Sequence, residues 1–150
     1  MIIETADISD AGKILELQKL AYMDEAMLYS NFDIQPMTET LEDVCSEFSN
    51  QLFLKGVEDN LIIGSVRGME QDGACLIGRL IVHPNHRGKG FGSLLLEAIE
   101  NSFPQCGRFE LFTGARSERN LNLYRKHGYS AFKTLPAAHG LELIYLEKIV

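Results

Sequence analysis

No apolar run in the chain approaches the ~18 to 20 residues needed to cross a bilayer, and Met1–Glu4 leads straight into acidic sequence, unlike a secretory signal. These absences argue against a membrane partner and for a cytoplasmic address. Cysteine is scarce. Cys45, Cys75 and Cys106 are odd in number, widely separated and set among apolar neighbours, which suits reduced, buried thiols rather than a disulfide framework. None of them has metal-ligand spacing, so no metal is expected. Repeats, low-complexity segments and linkers are lacking too. Positive charge is also in short supply: 14 Lys and Arg stand against 21 Asp and Glu, a formal net charge of −7. Such a surface repels a phosphate backbone, and nucleic acid is not an expected partner.

What remains is an ordinary globular composition, 45% hydrophobic and 23% charged over 150 residues. That length suits a single domain spanning 1–150 with one substantial core. Met1–Thr5 reads as a short strand. Asp7 and Asp10 can cap a helix whose apolar face is Ala11, Ile14, Leu15, Ala21 and Tyr22. A second helix follows Thr38, with Leu41, Val44, Cys45 and Phe48 on one face. The intervening stretch Asp24–Pro36 has no clean period and reads as a flexible lip. From Leu52 to Val82 the pattern shortens to three antiparallel strands, with turns at Glu58–Asn60 and Gln71–Gly73. Phe91, Leu94, Leu95, Ala98 and Ile99 return to helical spacing, and a strand follows at Arg108–Thr113. Ser117 can cap a last helix that runs to His127, where Gly128 suits a left-handed stop. Strands at Tyr129–Leu135 and Glu142–Ile149 finish the chain. The expected order is β-α-α-β-β-β-α-β-α-β-β, a mixed α/β fold.

The scarce basic residues gather at Arg79, His86, Arg87 and Lys89. The last three belong to Leu80-Ile-Val-His-Pro-Asn-His-Arg-Gly-Lys-Gly-Phe-Gly-Ser93, a strand, a proline turn, a glycine-rich loop and a helix start. This stretch suits an anion. Gly88, Gly90 and Gly92 permit backbone angles closed to other residues, so that successive N–H groups can converge on phosphate oxygens. The helix start at Phe91, Gly92 and Ser93 adds free N–H groups. Arg87 and Lys89 add charge. A Walker loop does not fit, because His83 stands where its first glycine belongs and Gly90 where Ser or Thr should follow the lysine. The dinucleotide fingerprint fails as well, since Ser93 or Leu95 occupies its third glycine position. His83 and His86 straddle a proline turn without a third ligand, and read as solvated loop residues rather than metal ligands.

The R-x-x-G-x-G pattern of Arg87, Gly90 and Gly92 after Leu-Ile-Val-His-Pro resembles the GNAT superfamily of N-acetyltransferases. Leu123-Tyr-Arg-Lys-His-Gly-Tyr129 resembles the later signature of that family, and the element order is similar to its fold. The resemblance implies a splayed central sheet flanked by helices, with acetyl-CoA as acetyl donor and no metal. It implies that Arg87–Gly92 holds the pyrophosphate, and that a bulged strand at Leu80, Ile81 and Val82 pairs with the pantetheine arm. A backbone N–H near Ile81 or Val82 would face the thioester oxygen. Tyr124 matches the tyrosine that protonates the departing thiolate. The family often has an asparagine seven residues before this tyrosine; Ser117 stands there, with Asn120 one turn later, and either can serve. The strand before the loop offers no glutamate as base, and Glu70, Glu25 or a water chain toward His83 are alternatives.

Tyr22, Glu25 and Tyr29 are candidates for the acceptor pocket. The acceptor itself, an amine, could be a polyamine, an amino acid, an aminoglycoside-like compound or a protein amine, with the acidic surface leaning toward cationic small molecules. A homodimer is compatible with the family. The alternative to the enzyme is a CoA-binding sensor or regulatory module of the same fold that never turns over.

Overall fold

The computed structural model describes residues 1–150, apart from the side chain of His139. Strand β1 (Ile2–Thr5) precedes helices α1 (Ala11–Leu28), α2 (Gln35–Thr38) and α3 (Leu41–Glu47). The meander β2 (Leu52–Glu58), β3 (Leu61–Gln71) and β4 (Ala74–Val82) follows, then α4 (Phe91–Asn101), β5 (Arg108–Gly114), α5 (Glu118–Lys126), β6 (Ser130–Pro136) and β7 (Glu142–Ile149). The order matches the expectation, with α2 as one additional turn.

Local chemistry explains most boundaries. Asp7 and Asp10 form a reciprocal capping box on the turn leading into α1, and Thr40 with Asp43 forms another at the start of α3. Asp59 and Asn60 both adopt left-handed angles, φ 51° and 65°, as a two-residue hairpin turn requires. At the end of α5, Gly128 takes φ 93°, which lets Tyr129 N–H return to the Tyr124 carbonyl at 3.0 Å.

Two expectations need correction. The Asp24–Pro36 stretch is not one irregular lip: α1 continues through Asp24, Glu25 and Leu28, and α2 begins at Gln35. The buried side of α1 includes Leu17 and Gln18 rather than Leu15 and Tyr22, which are half-buried. Gln18 was invisible to a hydrophobic reading because it is polar. Leu41 and Leu94 are likewise exposed, and Phe48 lies just past α3.

The seven strands form one sheet in the order β1-β2-β3-β4-β5-β7-β6. Every neighbouring pair is antiparallel except β4 with β5. Helices cover both faces. Leu54, Val66 and Cys75 pack against Leu95, Leu96 and Ile99 of α4, while Phe53 faces Ile14 and Val44 of α1 and α3. Adjacent Phe53 and Leu54 serve opposite faces because strand side chains alternate.

The parallel pair determines the site. Strands β4 and β5 pair over only Ala74–Leu76 and Arg108–Glu110, after which they diverge. On its other edge β4 carries a bulge. Gly78 opposes Arg67 and Ile81 opposes Ser65, leaving Arg79 and Leu80 against Val66 alone, with Arg79 at φ 48°. The bulge therefore lies at Arg79–Leu80, and Ile81 and Val82 have rejoined the ladder. The sheet is splayed where β4 bends away from β5.

Candidate active site

The glycine loop closes one end of the splayed gap. Gly88 and Gly90 adopt φ 78° and 81°, angles that strain residues with a Cβ. Gly90 stands immediately before α4, and the first helical bond runs from Leu94 N–H to its carbonyl at 3.2 Å. The N–H groups of Phe91, Gly92 and Ser93 are consequently unpaired within the helix and positive in potential. Gly92 differs from the other two glycines. It is helical, and its place is explained by packing, since a Cβ there would lie 3.5 Å from Leu123 on α5.

A cavity of about 200 Å³ lies beside this loop, bounded by Leu80–Val82, Arg87, Gly88, Gly90–Ser93, Asn120 and Leu123 among others. Lys89 is exposed and is not part of its wall. Arg87 is, but its guanidinium pairs with Asp24 and donates to the Ala21 carbonyl at 2.9 Å. It thereby ties the loop to the last turns of α1. Ser93 is also engaged, its hydroxyl lying 2.9 Å from His127 Nε2.

A larger cavity of about 390 Å³ adjoins the first. Its walls come from α1, the α2 segment, the bulged part of β4, β5, α5 and the β6–β7 connection. Tyr22, Glu25, Leu80 and Asn120 border both cavities, so the two meet at the bulge. Tyr124 faces the larger one and is 6% exposed. Burial drives its phenol well above the ordinary tyrosine range, and Tyr22 and Glu25 push the same way. The hydroxyl keeps its proton at neutral pH. Burial likewise raises Tyr22.

All three acceptor-pocket candidates line this larger cavity. Glu25 accepts a hydrogen bond from Ser117 Oγ at 2.6 Å. Ser117 occupies the cap position of α5 but makes no side-chain cap, because its hydroxyl is turned to a partner 92 residues away. Tyr29 accepts from Arg116 N–H at 2.7 Å beneath the Arg116 guanidinium, joining the end of α1 to the β5–α5 loop. Asn120 donates to Thr113 Oγ1 at 3.2 Å. Among the three base alternatives, Glu25 alone borders the cavities. Glu70 lies toward the far end of β3 and accepts from Gln105; His83 accepts from Asn85 N–H at 3.1 Å.

The backbone of β4 contributes as well. His83 N–H donates to the Ile63 carbonyl at 2.7 Å. Because N–H directions alternate along a strand, Ile81 N–H also turns toward β3 and Val82 turns its own toward the gap, while the bulge interrupts the alternation at Leu80. Ile81 is thus unsuited to meet a ligand in the gap through its N–H, and Leu80 borders both cavities.

Under the larger cavity lies a polar cluster that pattern reading missed. Gln18 Nε2 donates to Glu39 Oε1 at 2.7 Å and to the Pro36 carbonyl at 3.0 Å, and Arg67 Nη2 donates to Gln18 Oε1 at 2.9 Å. Arg67 and Arg79 both reach Glu39 Oε1. Burial would raise the Glu39 carboxyl, but the Gln18 bond and the two arginines outweigh it and hold the group below its ordinary value. The cluster pins residues 36–39 onto the sheet. Its one signal in the sequence is Arg67, a charge in the middle of an apolar strand. Among the described residues no group of three or more His, Cys, Asp or Glu side chains is placed to hold a metal, and no helix is long and apolar enough to cross a membrane.

Known proteins share this fold. The protein smu.2055 from Streptococcus mutans superposes with a TM-score of 0.85 over 99% of each chain at 17% identity. The PaiA N-acetyltransferase from Thermoplasma acidophilum, solved in complex with coenzyme A, superposes at 0.76 over the whole of both chains at 19% identity. The UPF0157 protein YqkA of Bacillus subtilis is 27% identical over 89% of this chain, which spans 38% of that protein's length. Residues 49–131, more than half of the chain and including the glycine loop and Tyr124, match the acetyltransferase (GNAT) domain, and the chain belongs to that family.

Proposed function

We propose that this chain moves an acetyl group from acetyl-CoA to a primary amine by direct attack. The observation that carries the reading is the pair of cavities that meet at Leu80, one beside a phosphate-type glycine loop and the other holding a buried, protonated tyrosine. The N–H groups of Phe91, Gly92 and Ser93, with Gly88 and Gly90, would hold the pyrophosphate. The pantetheine arm would lie along β4 in the gap that β5 leaves, bringing the thioester to Leu80.

The amine nitrogen then attacks the thioester carbonyl carbon, so that the C–N bond forms and the C–S bond breaks. Leu80 N–H stabilises the oxygen on which negative charge develops. The amine must first lose a proton, since a free alkyl ammonium with pKa ~10.4 is mostly protonated at neutral pH. Glu25 is oriented by Ser117 to take that proton, directly or through water. Tyr124 gives its proton to the departing thiolate, a contribution of ~10² to 10⁴ in rate. It is restored, directly or through water, by the second proton that the nitrogen sheds as the amide forms. Arg87 releases Asp24 to join the phosphate, or stays with Asp24 and supports the loop from behind.

A test is acetyl transfer from acetyl-CoA to a panel of amines, followed by mass spectrometry, with the Tyr124→Phe variant alongside. Acetylated product with wild type, and a turnover lowered at least ~10²-fold in the variant at similar acetyl-CoA affinity, are expected. Binding of acetyl-CoA with no product from any amine would favour a CoA-binding sensor instead.

A further inference from the structure

Beneath the larger cavity two arginines share one carboxylate. The side chains of Arg67, Arg79 and Glu39 are 5%, 15% and 10% exposed, and the arginines approach Glu39 Oε1 at 3.1 and 3.4 Å. Gln18 completes the cluster and is neutral. The ring of Phe53 lies under Arg67, 4.9 Å from its guanidinium carbon. In direct contact two guanidinium groups thus share one carboxylate, with Glu47 acting on Arg67 from farther away, in surroundings where an uncompensated charge is costly.

Arg79 is the member that reaches the cavity, and among the described residues it is the one basic side chain in that wall. It meets Glu39 through Nε, which leaves the Nη edge of its fork for the cavity. The bulge and the left-handed Arg79 backbone, φ 48°, hold the side chain in place. The acidic groups facing the same cavity are Glu25, on the Tyr124 side, and the exposed Asp33 on the α1–α2 connection.

We propose that the acceptor is an amine that carries a carboxylate a few bonds from its nitrogen, an amino-acid-type zwitterion, with Arg79 binding the carboxylate while the amine faces Glu25 and Tyr124. The inference rests on the acetyl-transfer reading and narrows its substrate. A planar guanidinium fork matches a carboxylate through two parallel hydrogen bonds. One guanidinium at the wall matches a monoanion better than a phosphate monoester of charge ~−1.5 to −2. A polyamine, the acceptor that the acidic surface favours, would set a cation against Arg79.

The experiment compares kcat/KM at saturating acetyl-CoA for amino acids, their decarboxylated amines, an aminoalkyl phosphate and spermidine, with acetyl-CoA binding measured separately by calorimetry. The best amino acid is expected to exceed its decarboxylated amine by at least ~30-fold, the effect of removing a charged hydrogen-bond partner. In Arg79→Gln that ratio should fall toward one, chiefly through KM. The wild-type panel decides even if the variant fails to fold. Equal or better use of the decarboxylated amine or spermidine overturns the proposal, as does preference for the aminoalkyl phosphate, or acetyl-CoA binding with no amino acid acetylated. A protein that fails to bind acetyl-CoA would instead remove the transfer reading on which the proposal rests.

Discussion

The two cavities that meet at Leu80 are built by opposite means. The smaller one is largely backbone: two left-handed glycines, three unpaired helix N–H groups and the edge of a bent strand. The larger one is a convergence of side chains from six parts of the fold, braced by bonds such as Ser117 to Glu25 and Gln18 to Glu39. A backbone site recognises a ligand through geometry that few residue types allow, whereas a side-chain site changes its ligand with single substitutions. The first suits a constant donor and the second a particular acceptor.

That contrast can be broken at several points. The largest effect is expected from Tyr124→Phe, which should lower kcat by ~10² to 10⁴ in steady-state assays while acetyl-CoA affinity changes little. Next is Glu39→Gln, which leaves Arg67 and Arg79 without their anion and should destabilise the fold by about 3 kcal/mol in denaturant titrations. The pH dependence sharpens this prediction. The Glu39 carboxyl lies below its ordinary value of 4.5, so its contribution is fully present above that pH and is lost as the pH falls through the lower native value. An acid titration of the Glu39→Gln protein should lack this component. Gly90→Ala should cost about 1 kcal/mol in backbone strain and weaken acetyl-CoA binding several-fold by calorimetry, whereas Gly92→Ala, helical and at ordinary contact distance from Leu123, should be tolerated. The smallest effect is chemical. Burial, with Cys106, Glu100 and Glu70 nearby, pushes the Cys75 thiol up to about 12, so alkylation at pH 8 should mark half-exposed Cys45 and leave Cys75 untouched until unfolding.

The same contrast explains what was legible in the sequence. The glycine loop could be read because left-handed angles and close approach demand glycine at fixed spacing, and Tyr124 because it lies in Leu123–Tyr129, which resembles the family's later signature. The element order along the chain followed from turns such as Asp59-Asn60 and from the apolar periods around them. The bulge position was misjudged by one to two residues because Arg79 takes a left-handed angle without being glycine. Ser117 reads as a cap since nothing local reveals Glu25, brought to it by the packing of α1 against the β5–α5 junction. Gln18, Arg67 and Glu39 are far apart in the chain, and only the sheet and the α2 segment make them one cluster. Tyr22, Glu25 and Tyr29 were legible as a group because they sit three to four residues apart on one stretch, even though the length of α1 was not.

The most direct test of the account is a calorimetric titration of acetyl-CoA into the wild-type protein and a Gly90→Val variant. One acetyl-CoA per wild-type chain, with affinity lost at least ~10-fold in the variant because its side chain strains the left-handed turn, is the predicted result. Equal affinity in the two proteins, or no binding in either, would contradict a donor site made by the backbone of this loop.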